Sequence, residues 1–241
     1  WTGVGAIAGY TRPAALALLA ACAGAALYFA HVWRTTTRPQ ALAGPKAWLL
    51  LALFVLEIPT TGFFDTAFLV QANHPQGFIA DRATFGAAAQ IAGTIVMGAL
   101  LHRFPAAEPR LRLTFALIAL AGVAMLAGYP WVADVAFVFA APAVEGFGAA
   151  GLTVLLCLAL VRESHVHPLL AALPSMAIML GTEFGLEMLQ MAFAAATAAG
   201  LGDPAAYAVT LLVQVAFAAL VPALLIAATR AGVDRPATAI G

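Results

Sequence analysis

Five carboxyl side chains, Glu57, Asp65, Glu145, Glu183 and Glu187, lie inside runs of apolar residues long enough to cross a membrane. An ionised acid at the centre of a membrane helix costs on the order of 2.5–3.5 kcal/mol. Without a neighbouring cation, such a group is expected to hold a proton, to be hydrated or to border a cavity. A carboxyl that exchanges its proton near physiological pH is a proton carrier. Proton coupling is the chemistry these residues offer. The plainer alternative is that acids near the end of a run, such as Asp65, reach the interface or tie helices together by hydrogen bonds.

Spacing groups the acids. Glu183 and Glu187 are i, i+4 neighbours and Gln190 follows three residues later, so the three share one helix face. Glu57, Thr61 and Asp65 recur at i, i+4 and i+8 with Pro59 beside the first, and Pro142 precedes Glu145 by three residues. Proline at membrane depth frees a carbonyl and bends the helix, which suits a cavity wall or hinge. Gln90 adds an uncharged polar group to another run. Gly181 and Gly185 frame the polar turns around Glu183, and equally permit a close helix crossing.

Other motifs are excluded. Gly146-x-Gly148-x-x-Gly151 matches the dinucleotide fingerprint by letter, but it sits inside an apolar run with no strand before it and reads as close packing. The five histidines end runs or lie in loops, and Cys22 and Cys157 form no ligand spacing, so no cofactor and no buried metal is expected. His165-x-His167 offers weak surface metal binding at most. No Ser, His and acid set lies at depth, so the chain is not read as an enzyme.

The elements that must position these groups follow from composition. With 63% apolar and 9% charged residues and a mean hydropathy of +0.97, a soluble globular domain is excluded. Zero net charge leaves no basic surplus for nucleic acid. Continuous Ala/Leu-rich runs predict an all-α integral membrane protein with seven transmembrane helices: spans A (13–32), B (47–70), C (84–101), D (113–128), E (132–160), F (169–198) and G (207–229). Trp33, Trp48, Trp131 and Tyr207 fall at span ends, where amphipathic rings prefer the headgroup level. Nine of the eleven basic residues fall in alternate loops and two, Arg12 and Arg82, on the other side, which predicts an external N-terminus and a cytoplasmic C-terminus. The expected location is the bacterial cytoplasmic (inner) membrane, with multiple passes. All eleven basic residues fall outside the runs, so the acids are expected to lack basic neighbours. A retinal protein is excluded because span G contains no lysine. The chain begins at Trp1, and is read as processed, truncated or one part of something longer.

The C/D connection reads Gly98-Ala99-Leu100-Leu101-His102-Arg103-Phe104, followed by Arg110 and Arg112. It is similar to the second-half copy of the Gly-x-x-x-Asp-Arg loop motif of the major facilitator superfamily, with His102 where the family has Asp. Spans B to G resemble the carboxyl-terminal half of such a transporter, and the extra span A makes the fourteen-span drug:proton antiporters the nearest type. That resemblance implies two parts, residues 1–46 with the extra helix and a linker, and residues 47–241 as a six-helix half. It also implies two inverted three-helix repeats, B to D and E to G, whose first two helices line a central path. The acids in B, E and F and Gln90 in C fit that partition. The implied function is half of a proton-coupled secondary transporter moving a small apolar or cationic molecule by alternating access. Glu183 and Glu187 are the leading proton or substrate site, with Glu57, Glu145, Asp65, Gln190 and Gln90 around them. The implied partners are the lipid bilayer, the small-molecule substrate and a missing amino-terminal half, supplied as a further segment, a partner chain or a second copy. The alternative is a non-transporting scaffold or accessory subunit of a larger membrane complex.

Overall fold

A computed structural model describes residues 45–59, 63–132, 134–161 and 168–231, with side chains throughout except at 45, 63–65 and 168–171. The chain divides between Ala43 and Gly44 into two units, and every described residue belongs to the second. Span A and the 1–46 segment therefore lie outside the described residues, apart from the first residues of the first helix.

Seven α-helices and no strand occur among the described residues: α1 (Pro45–Glu57), α2 (Phe63–Gln71), α3 (Gln76–Arg103), α4 (Glu108–Ala127), α5 (Val135–Val161), α6 (Pro168–Ala198) and α7 (Asp203–Arg230), with a 3-10 turn at Pro105–Ala107. Four stretches are long and apolar enough to cross a membrane: α3, α4 with its preceding turn, α5 and α7. They correspond to spans C, D, E and G. Span B is instead two shorter helices, because Pro59 has no N–H to continue the ladder and disfavours helical geometry in the residue before it. Span F is the 31-residue helix α6, whose apolar character is diluted by Glu183, Glu187 and Gln190.

Local chemistry sets the helix ends. Prolines stand in the first turns of α4 and α7, where a missing N–H costs nothing, together with Glu108 and Asp203, whose charge suits the positive helix end. Helix α2 closes through Asn73, at φ 59°: the His74 N–H donates to the Leu69 carbonyl and the Asn73 N–H to that of Val70, both at 3.1 Å. Helix α6 closes in the same way through Gly200, at φ +84°, with Leu201 donating to Ala196 at 3.2 Å and Gly200 to Thr197 at 2.9 Å. These tight closures leave only a few residues between α2 and α3 and between α6 and α7.

Helix α5 is the central element. It packs along α3 on one side and α4 on the other, while α1 packs against α6 and α7, and α4 meets α7. Backbone proximity depends on small residues, as it must where hydrocarbon competes equally for apolar surface. A Cβ at Gly93 would collide with the Phe147 backbone, and one at Gly122 with the backbone of Glu145. On the other flank a Cβ at Gly185 would lie 2.7 Å from Ile58 Cα, so α6 crosses α1 almost backbone to backbone. Gly146, Gly148 and Gly151 face Gln90, Ala119 and the Phe115 ring, respectively, which is the close-packing role expected of them. The largest core cluster joins Leu53 and Leu56 to Phe115, Leu152 and Leu155. A smaller cluster of Leu69, Leu126, Tyr129 and Val138 closes the opposite end.

Candidate functional site

Arg82 is the seventh residue of α3, not a loop residue, and its side chain is buried at 3% exposure. The apolar run starts only at Thr84, but Pro75 opens the helix at Gln76, so Arg82, although outside the apolar run, lies within a helix, as Lys46, Arg103, Arg110, Arg112 and Arg230 do in theirs. Arg82 Nε donates to the Tyr129 hydroxyl at 3.0 Å, and its guanidinium carbon lies 5.4 Å from the Tyr129 ring centroid. Tyr129 in turn donates to the Val138 carbonyl at 2.8 Å. Val138 is four residues before Pro142, which lacks the N–H that would bond that carbonyl in an unbroken helix. The tyrosine thus occupies the acceptor that the proline frees, and in doing so fixes the arginine.

That arginine borders a cleft of about 200 Å³ whose lining includes Pro59, Thr66, Gly86, Gln90, Pro142 and Glu145. Glu145 is 8% exposed. Helix α3 brings Arg82, Gly86 and Gln90 to one face at i, i+4 and i+8, while the close approach of Gly86 and Gly146 seats that face against the Pro142 bend of α5. The cleft therefore has an acid, a base and an amide, beside the end of α1 at Pro59 and the proline inside α5.

Glu57 ends α1 on another part of α5. Thr153 Oγ1 donates to Glu57 Oε1 at 3.4 Å, and Thr153 is eight residues beyond Glu145, about 12 Å along the helix. Cys157, a free thiol, follows one turn later. Glu57 and Glu145 thus belong to separate surroundings. Just past Glu57, the Pro59 carbonyl accepts a hydrogen bond at 3.2 Å from Nε2 of Gln214, which is 1% exposed on α7. The break in span B is held from across the bundle.

Glu183 and Glu187 are exposed, on the face of α6 that also presents Met176, Met179, Leu180 and Met191. Gly181 and Gly185 occupy the opposite face against α1, so the glycines serve the crossing and the glutamates point away from it. Gln190 is half-buried on the same helix, and no described residue forms a hydrogen bond or ion pair with Glu183 or Glu187. Asp65 belongs to α2, but its side chain lies outside the described residues. Gly98 has open space where a Cβ would go, and His102 and Arg103 are exposed at the end of α3, with the Arg103 guanidinium 5.8 Å from the Phe104 ring centroid. The loop-motif residues therefore stand apart from the cleft. No metal-ligating cluster occurs among the described residues, and His165 and His167 lie outside them.

Sequence reasoning finds Glu145, Gln90, Pro59 and Pro142 but misses Arg82, Tyr129 and Gln214. The Asn73-His74-Pro75 turn is the signal that would have moved the start of span C back and taken Arg82 into it. Compared with known proteins, the chain matches no family model, no curated protein and no solved structure.

Proposed function

We propose that residues 47–241 form one half of a proton-coupled secondary transporter that moves a small apolar or cationic molecule by alternating access. The observation that carries this reading is the cleft in which Glu145, Arg82 and Gln90 converge beside Pro59 and Pro142. Broken helices around polar groups are the usual make-up of a transporter site. Its volume of about 200 Å³ is below the ~300–1,000 Å³ of complete ligand pockets, which suits one wall of a path whose other wall is a second bundle.

Helix adjacency supports the inverted-repeat reading. Exchanging B with E, C with F and D with G carries three of the well-packed pairs onto packed pairs, α3 on α5 becoming α6 on α1, α4 on α5 becoming α7 on α1 and α4 on α7 mapping to itself, whereas α6 on α7 has no such counterpart because α3 and α4 barely touch. The glycine crossings exchange in the same way, Gly86 against Pro142 answering Gly185 against Ile58, next to Pro59.

Glu145 is the proton-bearing group in this account. With its carboxylate ionised, its charge balances that of Arg82, which lines the same cleft and is bonded to Tyr129; protonation leaves the cleft with one net positive charge. A cation therefore binds the deprotonated cleft better than the protonated one, and binding expels a proton. Protonation changes which orientation of the two halves is lower in energy, and rocking follows.

The test uses inverted membrane vesicles from cells producing the full gene product, with an imposed pH gradient and tetraphenylphosphonium as the cationic probe. The wild type is expected to dissipate the gradient on addition of the probe, and Glu145→Gln to lose that response at equal membrane abundance. A wild type that never responds, or an undiminished response in Glu145→Gln, overturns the assignment. The uncovered glutamate and methionine face of α6 favours a second reading, an accessory subunit docked through that face, which predicts no response in any variant and co-purification of a membrane partner.

A further inference from the structure

The first turns of α4 and the last turns of α7 enclose a groove of about 340 Å³ at one end of the bundle, walled by Leu113, Leu225 and Ile226 and rimmed by Arg110, Arg112 and Arg230. The groove is remote from the cleft: Leu126, which borders the cleft, is thirteen residues beyond Leu113 on α4, about 20 Å along the helix. Arg112 is buried and bonded to Glu108 at 3.1 Å, so among the described residues one of the three positive charges at the rim is matched and two, those of Arg110 and Arg230, are not. Arg110 and Arg230 are exposed. The N-terminal N–H groups of α4 add positive potential at the same end. Below the rim the wall is aliphatic and continues along α4 to the exposed Leu117, one turn beyond Leu113.

A basic rim over an apolar wall, between two helices long and apolar enough to cross a membrane, has the chemistry of an amphiphile with an anionic head. A soluble phosphate would leave the aliphatic wall unused, and a zwitterionic lipid would leave the net positive charge unmatched. We propose that this groove binds an anionic glycerophospholipid, with its phosphodiester between Arg110 and Arg230 and an acyl chain along Leu113 and Ile226. The site rests on α4 and α7 crossing a bilayer and is independent of the transport reading.

The experiment follows thermal unfolding of the full chain in neutral detergent while phosphatidylglycerol, phosphatidylcholine or inorganic phosphate is titrated in. Phosphatidylglycerol is expected to raise the melting temperature, and the other two to leave it unchanged. Its apparent affinity should fall about fivefold in Arg110→Gln or Arg230→Gln and about thirtyfold in the double variant. Arg103→Gln, an exposed arginine outside the groove, should have no effect, and high salt should weaken lipid binding to the wild type without any substitution. An equal shift with inorganic phosphate means a soluble anion site, an equal shift with phosphatidylcholine means unspecific acyl binding, and an equal loss in Arg103→Gln means diffuse surface charge. Each of these results overturns the proposal.

Discussion

Tyr129 donates to the Val138 carbonyl at 2.8 Å, and that carbonyl needs a donor because Pro142, one turn later, has none to give. The same hydroxyl accepts from Arg82 at 3.0 Å, so a single side chain joins α3, the α4–α5 connection and the bend of α5.

Tyr129→Phe removes a donor from Val138 and an acceptor from Arg82 while leaving the ring. The expected cost is about 1–3 kcal/mol, because the buried Val138 carbonyl loses its side-chain donor. Equilibrium unfolding in detergent checks it, and a stability equal to wild type would show that the two hydrogen bonds are dispensable.

Gln214 is buried and bonds the Pro59 carbonyl from across the bundle, and its Oε1 has no hydrogen-bond partner among the described residues. Gln214→Leu is expected to cost roughly 1 kcal/mol, the usual scale for a hydrogen bond between membrane helices. It should also speed amide exchange at the α1–α2 junction, measured by hydrogen–deuterium mass spectrometry, before it affects α5.

Two glycines of α3 separate packing from propensity. A Cβ at Gly93 meets the Phe147 backbone, whereas one at Gly98 meets nothing. Gly93→Ala should destabilise by about 1–3 kcal/mol, since backbone cannot swing aside. Gly98→Ala should be neutral or stabilise by up to about 1 kcal/mol through helix propensity alone. Melting curves of the two variants in the same detergent are expected to move in opposite directions or, at the least, to differ clearly.

Glu108 and Arg112 form a buried i, i+4 pair at 3.1 Å. Removing only the acid, in Glu108→Ala, leaves a buried charge and should cost about 3–5 kcal/mol. Replacing both, Glu108→Leu with Arg112→Met, should cost much less. A double variant no better than the single one would mean that the pair is needed for more than mutual neutralisation. The comparison is made in lipid-free detergent, so that the nearby groove does not contribute.

Glu183 and Glu187 are exposed and bond to no described residue, so Glu183→Gln and Glu187→Gln should each change the stability of the isolated chain by less than about 0.5 kcal/mol. Any change they cause in proton-coupled transport then reports on function and not on folding. A large loss of stability in either variant would show that this face of α6 is covered within the chain.

Which helices form was legible in the residues, and so was the character of the groups they hold. Continuous apolar runs dictate helices C, D, E and G, because backbone groups in an apolar setting must bond within their own segment. That Pro142 frees a carbonyl inside its helix was legible too, since a missing N–H is a property of the residue itself, whereas the division of span B at Pro59 was not foreseen. So was the close-packing role of Gly146, Gly148 and Gly151. Arg82 was misplaced because hydropathy marks the apolar length of a helix and not its hydrogen-bonded length, which starts at Gln76.

Which polar groups meet is a different matter. Glu145 and Arg82 are 63 residues apart in the chain and share a cleft only because Gly86 and Gly146 let α3 and α5 touch. Gln214 and Pro59 are 155 residues apart and meet only because α7 packs on α1. Periodicity orders residues around one helix axis, so the sequence alone established that acids and amides share faces. It carries no information on which face of one helix meets which face of another. That was decided by close packing at the small residues, which turned Glu145 inward to the cleft that Arg82 also lines and left Glu183 and Glu187 outward, although all three have the same side chain in the same kind of apolar run.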